Sequence, residues 1–569
     1  MAPAYLALVN GNVHSDGGRS EGVLIREPEI AAVGHTSEIL DQAPSGTMVV
    51  DLAGRHVLPA FTDSHTHYHR AAMLRMHFLD FTALAPRSIG DVLGAARSTG
   101  ATLASGQWVQ GDNLSAAALA EGRLPSRTEL DRACPGRPVI LRTVGKHAIS
   151  ANSAALAAAG ITAATQDPPG GRIERDESGE PTGVLHETAK LRLDALRADT
   201  VVPPLSEAAR LAALRRGLDE LARHGITEIH EIVQSPDELA DYVRLREAGG
   251  LTARVVYYVR VIEGQASLDD LLRLGLRTGF GDDWLRLGGV KVSIDGSCTM
   301  HNAALYGGYL DEPDNAGLIR VAQDDLDELV ARAERGGLQV AVHAIGQRAV
   351  DMAADAIERA TQGRPSRLRH RVEHAYLAPR PGQLERLRDL GVVISTQPAF
   401  LWANGDTWPA MFGGEETARM MPMRSLLDLG IPVQVNTDFP NAPLDPLLTL
   451  RAAVDRRARS GAVIGAAEAI TAREAWSLAT EGSAYGAFEE RTRGRIAPGY
   501  LADLVVLADD PFTSADLGPE AVEATVVGGR PVHVAGGLSG WEAGAAPSAA
   551  GLAPATATAP AGGFSVTAG

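Results

Sequence analysis

Short apolar runs alternate with longer amphipathic stretches along most of the chain. Stretches such as SEAARLAALRRGLDELARHG repeat apolar residues at helical spacing, whereas the short runs between them have the length of strands. This alternation is typical of βα units and predicts a parallel sheet covered by helices. The predicted strands lie at residues 56–63, 138–144, 226–232, 253–261, 285–295, 338–344, 368–375, 391–398 and 431–438.

One of these nine strands falls outside the regular alternation. The strand at 138–144 lies in a helix-rich region, residues 70–205, which we interpret as an insertion with its own small sheet. The other eight are the number that closes a (β/α)8 barrel, or TIM barrel. The predicted fold class is therefore α/β, with a TIM-like barrel over residues 57–486 that carries an inserted α/β subdomain.

The two ends of the chain have a different pattern. Both contain short apolar runs separated by turn residues, without a helical period. We expect residues 1–56 and 487–537 to form one composite β-sandwich domain. Residues 538–569 consist mostly of Ala, Gly, Pro, Ser and Thr, which cannot bury a core, so this tail is predicted to be disordered.

The composition and net charge of the chain limit the binding partners and the cellular location that we expect. The 569-residue chain is 45% hydrophobic and 22% charged, with a net charge of −17, which is typical of a soluble globular enzyme. The acidic balance argues against a nucleic-acid partner, because a phosphate backbone requires a basic surface. Cys134 and Cys298 are the only cysteines, which favours a reducing, cytoplasmic location. We expect neither a signal peptide nor a membrane span, and a homodimer is left open.

Candidate metal ligands stand at the C-terminal ends of the predicted barrel strands, where the active sites of such barrels lie. In LPAFTDSHTHYH, His65 and His67 occupy alternate positions, so on a strand they point to the same face. A single histidine in an apolar strand is more often a hydrogen-bonded core residue, but an unpaired buried lysine is rare. The other candidates lie towards the ends of strands four, five, six and eight of the predicted barrel and are Lys291, His343, His374 and Asp438.

This order of residues resembles the amidohydrolase superfamily of metal-dependent hydrolases. The segments GGVKVSIDGSCTMHNAAL, VAVHAIGQRAVD and GRIAPGYLADLVVL are similar to the family 3 branch, which includes D-aminoacylase-like enzymes and N-substituted formamide deformylase. The resemblance spans residues 5–535. Two segments of the insertion, WVQGDNLS and VGKHAIS, depart from the pattern of the branch, so the identity of the substrate is left open.

The resemblance implies two zinc ions. His65 and His67, helped by Asp438, would hold the more buried ion, and His343 and His374 would hold the second. Lys291, carboxylated by carbon dioxide, would bridge the two ions with anionic oxygens. Such a pair lowers the pKa of a shared water from about 16 to about 7. Asp438 would then act as the general acid and base.

The implied reaction is hydrolysis of a non-peptide carbon–nitrogen bond, an amide or N-formyl group, in a small molecule. The loop AFLWANGDTWPAMF is either ordinary packing or a wall for an apolar substrate group. His69 is expected to be exposed. Alternatives are a mononuclear deaminase-like enzyme, a cyclic-amide hydrolase on the same barrel, or a scaffold without metal. The further substrate-binding candidates are His147, Cys298, His301, Phe400, Trp402, Trp408 and Phe412.

Overall fold

A computed structural model of the protein describes most of the chain. The chain divides into two compact units. One is formed by Met1–His67 with Leu218–Gly569, and the other by Tyr68–Gly217. The described residues are 4–75, 78–84, 86–103, 106–116, 119–143, 148–168, 171–190, 193, 206–261, 267–514, 517–535, 538 and 541.

Strands and helices alternate through the larger part of the chain, as the periodicity predicts. The strands are β1 (Tyr5–Val9), β2 (Asn12–Ser15), β3 (Gly18–Ser20), β4 (Gly22–Arg26), β5 (Glu29–Gly34), β6 (Met48–Asp51), β7 (His56–Pro59), β8 (Phe61–Thr66), β9 (Phe78–Asp80), β10 (Val109–Leu114), β11 (Val139–Thr143), β12 (Ala148–Ala151), β13 (Gly171–Arg175), β14 (Pro181–Glu187), β15 (Ile226–Val233), β16 (Arg254–Arg260), β17 (Leu285–Ser293), β18 (Gln339–Ala344), β19 (Arg371–His374), β20 (Val393–Thr396), β21 (Val433–Val435), β22 (Leu504–Leu507), β23 (Val522–Val527) and β24 (Arg530–Val534). The α-helices are Thr36–Gln42, Tyr68–Arg75, Phe81–Leu84, Ile89–Thr102, Arg127–Ala133, Ser153–Ala158, Glu207–Arg223, Pro236–Glu247, Ser267–Arg273, Gln323–Gly336, Gln347–Thr361, Gln383–Asp389, Ala399–Asn404, Trp408–Phe412, Gly414–Ala418, Met423–Asp428, Pro446–Asp455, Ala472–Ser477 and Ser483–Gly486.

Eight parallel strands form the predicted barrel. Their order in the sheet, from β8 through β15 to β21, follows their order in the chain, as successive right-handed βα crossovers require. The last strand approaches the first at a parallel bridge between Thr66 and Phe439. Beside it, the Ser64 hydroxyl donates to the carbonyl of Val435 at 3.1 Å. The fold class predicted from the sequence is confirmed.

The first predicted barrel strand, residues 56–63, is two strands in the structure. β7 belongs to another sheet, and β8 begins the barrel after a break at Ala60. Pro59 ends β7 and has no N–H to donate to a continuing ladder. The continuous apolar run of the sequence therefore spans a change of sheet.

Strands from both ends of the chain share a second sheet, of order β24-β23-β22-β7-β2-β3. The ends join where β22 pairs antiparallel with β7, with Leu504 opposite Pro59. A third sheet has the order β5-β4-β1-β6, and one hydrophobic cluster draws residues from both sheets. Leu538 and Trp541, at the start of the predicted tail, are buried in that cluster, and residues 542–569 lie outside the described part.

The unit Tyr68–Gly217 contains the region predicted as an insertion, residues 70–205. Its sheet has the order β13-β14-β12-β11-β10-β9, and β11 is the strand predicted at 138–144. His69, expected to be exposed, is buried in this unit. Across the described ranges, no helix is both long and apolar enough to cross a membrane.

A cluster of buried opposite charges lies between the barrel strands and the C-terminal segment. Arg254 donates to the two oxygens of Asp503 at 2.8 and 3.0 Å, and Arg493 donates to Asp503 at 3.0 Å. Arg493 also pairs with Glu228 of β15. Burial alone would raise the pKa of Asp503, but the charges of Arg254 and Arg493 outweigh it and hold the pKa well below its usual range. Removing one of these charged groups would therefore leave its partners buried without a full counter-charge.

We expect Asp503→Asn to destabilise the protein strongly, because it leaves two buried guanidinium groups without a full counter-charge. Breaking a buried pair costs about 3–5 kcal/mol. Denaturant unfolding followed by fluorescence measures the loss. The matched control is Asp389→Asn, which removes an exposed partner of Arg388 and should cost less than about 1 kcal/mol. Equal midpoints for the two variants would contradict this account.

Candidate metal centre

The first two predicted ligands lie at the C-terminal end of β8. The ring centroids of His65 and His67 are 5.6 Å apart. Asp438, which follows β21, places its Oδ1 3.6 Å from Nε2 of His65 and 3.5 Å from Nε2 of His67. One ligand atom of each residue lies within 4.8 Å of the other two. The structure therefore gathers these three side chains around one point, as a single cation requires.

Asp438 has two features that are unusual for a carboxylate. Its backbone is left-handed, with a φ of 51°, a conformation that is uncommon for residues other than glycine and that is concentrated at functional sites. Its Oδ1 is buried and has no hydrogen-bond partner among the described residues, whereas Oδ2 accepts from Asn441 at 3.1 Å. Burial raises the pKa of Asp438. A cation beside Oδ1 would supply the missing partner of this oxygen.

The remaining predicted ligands continue the cluster. Nζ of Lys291, on β17, is 3.5 Å from Nε2 of His65. The ring of His374 lies 5.2 Å from that of His65 and 4.4 Å from that of His343. All six residues predicted as metal ligands are thus brought together at one end of the barrel.

The protonation states suit metal binding. Burial lowers the pKa of His65, His343 and His374 well below the usual range, so their rings are neutral and keep a lone pair at neutral pH. Burial also lowers the pKa of Lys291, against the opposing charges of Glu373 and Asp438. Neutral imidazoles with a carboxylate form a donor set that fits a divalent ion such as zinc.

Two charged residues that sequence reasoning missed hold the first histidine in place. Glu373 of β19 accepts a short hydrogen bond from Nδ1 of His65. Arg371 donates to Glu373 at 2.6 and 3.0 Å and to the carbonyl of Ser64 at 2.7 Å. This arrangement turns Nε2 of His65 towards Asp438 and Lys291, and such partners orient a metal-binding histidine. The available signal was the spacing in RVEH, which points Arg371 and Glu373 to the same face of a strand.

The second pair of histidines also has dedicated partners. Oε1 of Gln397 lies 2.8 Å from Nδ1 of His374 and accepts a hydrogen bond from it. Nε2 of His343 lies 3.4 Å from the carbonyl of Gly296, which accepts its hydrogen bond, and 3.4 Å from Oδ1 of Asp295. The Asp295 carboxylate is fixed by the backbone amides of residues 304, 345 and 346, at 2.9, 3.1 and 2.8 Å. The ring of His374 is therefore oriented by a side chain, and that of His343 by a backbone carbonyl, both outside the ligand set.

The predicted aromatic wall is divided in the structure. Trp408 is fully buried and stacks on Tyr376, with centroids 5.8 Å apart. Phe400 meets the same tyrosine edge-on at 5.8 Å. Trp402 is only partly buried and lies under the guanidinium of Arg459 at 4.4 Å. Trp402 is therefore more accessible to a ligand than Phe400 and Trp408.

The other substrate-binding candidates have varied surroundings. His301 is left-handed, with a φ of 52°, and its Nε2 lies 3.1 Å from Asp311. Its ring is 4.7 Å from that of Tyr309, which in turn contacts Phe412 at 5.4 Å. Cys298 is buried, and burial raises the pKa of its thiol to about 12. His147 lies outside the described residues.

A parallel barrel with imidazole, carboxylate and amine groups gathered at the C-terminal ends of its strands defines a metal-dependent barrel enzyme. The sequence model of the amidohydrolase family matches residues 48–533. The chain therefore belongs to the amidohydrolase family of metal-dependent hydrolases. Hydrolysis of a carbon–nitrogen bond in a small-molecule substrate, predicted from the sequence, is confirmed at the level of the family.

Similar proteins span nearly the whole chain. An N-substituted formamide deformylase from Arthrobacter pascens is 30% identical over 524 residues, which are 90% of this chain and 94% of that protein. The protein LONG AFTER FAR-RED 3 of Arabidopsis thaliana is 30% identical over 551 residues, covering 93% and 92%. The crystal structure of an uncharacterized metal-dependent hydrolase from Pyrococcus furiosus is 28% identical, with a TM-score of 0.70, and the match covers 90% of this chain and all of that one.

We expect Glu373→Gln to weaken metal binding about 10- to 100-fold, the usual effect of losing the partner that orients a metal ligand. The glutamine keeps the size of the side chain but loses the charge that holds His65 and balances Arg371. Competition with a chromogenic chelator measures the dissociation constant. The control is Glu385→Gln, an exposed change in the following helix. Unchanged affinity in Glu373→Gln would show that the His65 orientation has another source.

Proposed function

We propose that the protein hydrolyses a small amide or N-formyl compound with two zinc ions. The observation that carries this proposal is Oδ1 of Asp438, which is buried, without a hydrogen-bond partner in the described chain, and turned towards His65 and His67. The similarity to an N-substituted formamide deformylase supports the choice of an N-formyl or related amide.

The proposed ligand sets follow the two parts of the cluster. His65, His67 and Asp438 would hold one ion, and His343 and His374 would hold the other. When bound, the ions supply Lewis acidity that lowers the pKa of a water and polarises the substrate carbonyl. The chain contributes the orientations of the His65, His343 and His374 rings.

Lys291 would carry the bridge between the two ions. Its burial lowers the pKa of the amine, which favours the neutral form that attacks carbon dioxide. A nitrogen–carbon bond forms, the nitrogen loses its proton, and a carbamate with one negative charge results. A protonated Lys291 would instead repel both cations, so the proposed ligand set requires this modification.

Asp438 would move the proton. Its pKa is raised by burial, towards the range in which a group can both accept and release a proton near neutral pH. Asp438 would take a proton from the water and deliver it to the nitrogen of the leaving amine. The hydrogen bond from Asn441 to Oδ2 holds the carboxylate, so that Oδ1 faces His65 and His67.

The substrate would carry an apolar group beside the hydrolysed bond. Trp402 is the partly exposed tryptophan of the segment 399–412 and would contact that group, while the buried Phe400 and Trp408 would support the wall around Tyr376. His147 and His301 remain proposed contacts of the substrate. A cytoplasmic location and a homodimer are further proposals, the first supported by the two free cysteines.

A substrate panel tests this function. The zinc-loaded protein is incubated with N-formyl amines, N-acyl amino acids, cyclic amides and esters, and the released amine or acid is measured before and after removal of the metal. We expect amine release from N-formyl or N-acyl compounds that stops with chelation and returns with zinc. Turnover of cyclic amides alone, or one metal per chain with deamination, would favour the alternatives on the same barrel.

We expect Lys291→Ala to lose bound metal and activity together, because the bridging group is gone. A short carboxylate such as acetate, added at high concentration, should partly restore turnover by filling the vacated bridge. Metal content per chain and the initial rate are the two measurements. Full metal content with a normal rate in the alanine variant would refute the bridging role.

We expect Asp438→Asn to lower kcat by about 10²-fold or more, the scale of losing a general base, in a protein that still folds. Rates are measured on the best substrate of the panel. The control is Asp428→Asn in the preceding helix, whose carboxylate forms an exposed pair with Arg424. A fully active Asp438→Asn enzyme would assign the proton transfer to another group, with His301 the next candidate.

A further inference from the structure

Two histidines and a carboxylate meet at a second place, on the sheet that both ends of the chain share. His14 lies on β2, His56 on β7, and Asp510 follows β22. Nε2 of His14 is 3.0 Å from Nδ1 of His56, and the two rings are stacked at an angle of 27°. One ligand atom of each of the three residues lies within 4.8 Å of the other two. The barrel cluster uses none of these residues.

We propose that His14, His56 and Asp510 bind a divalent transition-metal ion, with zinc as the best match. Tetrahedral zinc, with Zn–N distances of about 2.0–2.1 Å, holds two nitrogens about 3.3 Å apart. The observed separation of 3.0 Å needs to open by only a few tenths of an ångström. Asp510 would provide the third ligand, and a water would complete the coordination because the cluster is partly open to solvent.

The protonation of the pair agrees with this geometry. Burial, together with the charge of His56, lowers the pKa of His14 to about 4, and burial lowers the pKa of His56. Both rings are therefore neutral at neutral pH and can give a lone pair to a metal. Two nitrogen ligands and one carboxylate are a donor set for zinc, copper or nickel rather than for calcium or magnesium.

One cation competes for the site. Arg19, opposite His14 in the β2–β3 pair, donates to Oδ2 of Asp510 at 2.6 Å. Its side chain is 58% exposed, and an ion pair that exposed contributes little to stability. Oδ1 of Asp510 is held separately by the amide of Phe512 at 3.0 Å. Metal binding would therefore displace the Arg19 side chain without moving the backbone that carries the carboxylate.

The proposed role of the ion is structural. It would tie β2 and β7, from the start of the chain, to the segment after β22 near its end. A ligand that binds only the folded protein stabilises it, by an amount that rises with the ratio of ligand concentration to the dissociation constant. The ion would therefore strengthen the junction of the two chain ends, and turnover at the barrel site would not depend on it.

Counting bound metal in matched variants of the full-length protein tests the proposal. Wild type, His14→Asn, Asp510→Asn and the control His35→Asn, an exposed histidine of the same terminal segment, are stripped of metal and equilibrated with zinc. Bound zinc is measured after gel filtration, with circular dichroism to verify folding. We expect wild type and His35→Asn to bind one ion more per chain than the two site variants, whatever the occupancy of the barrel.

Three further measurements sharpen the result. Zinc should raise the Tm of wild type more than that of His14→Asn, and Arg19→Ala should bind the additional ion several-fold more tightly because Asp510 is released. Copper bound at this site should show two nitrogen ligands in its electron paramagnetic resonance spectrum. Equal metal counts in wild type, His14→Asn and Asp510→Asn would overturn the proposal and leave a hydrogen-bonded histidine pair beside the Arg19–Asp510 ion pair.

Discussion

The buried ion pair between Arg371 and Glu373, in the interior of the barrel, is the interaction on which the metal centre depends. Neither side chain is accessible to solvent, so each charge would be costly without the other. On one side of the pair, Glu373 accepts a hydrogen bond from Nδ1 of His65. On the other side, Arg371 contacts Nδ1 of His230 at 3.0 Å. Nε2 of His230 lies 3.3 Å from Glu228, which belongs to the charge cluster at the C-terminal segment. One continuous buried network thus links the candidate ligand His65 to the junction of the chain ends.

The barrel and its six candidate ligands could be predicted because their signals are local. Apolar runs separated by helical periods identify the strands, and polar residues where those runs end identify the mouth of the barrel. His343 interrupts an apolar segment, His374 lies at the end of the next predicted strand, and Lys291 lies in a strand where a charged side chain is rare. The strand at 138–144 stood out because it broke the regular spacing of the others.

The remaining features depend on three-dimensional contacts that cannot be identified from the sequence. Glu373 and Arg371 look like any charged residues at a strand end until their partners are known. The change of sheet after Pro59 is hidden because the apolar run continues across it. Trp408 belongs to a segment with the composition of a pocket wall, but it is fully buried against Tyr376. In each case the three-dimensional partner, rather than the residue type, determines the role.

Anomalous X-ray diffraction from crystals of the zinc-loaded protein, grown with bicarbonate, tests the central claim most directly. The account predicts two anomalous peaks beside Lys291, one bounded by His65, His67 and Asp438 and the other by His343 and His374. It also predicts electron density for a carboxylate attached to Nζ. A single peak with an unmodified lysine would contradict the binuclear centre.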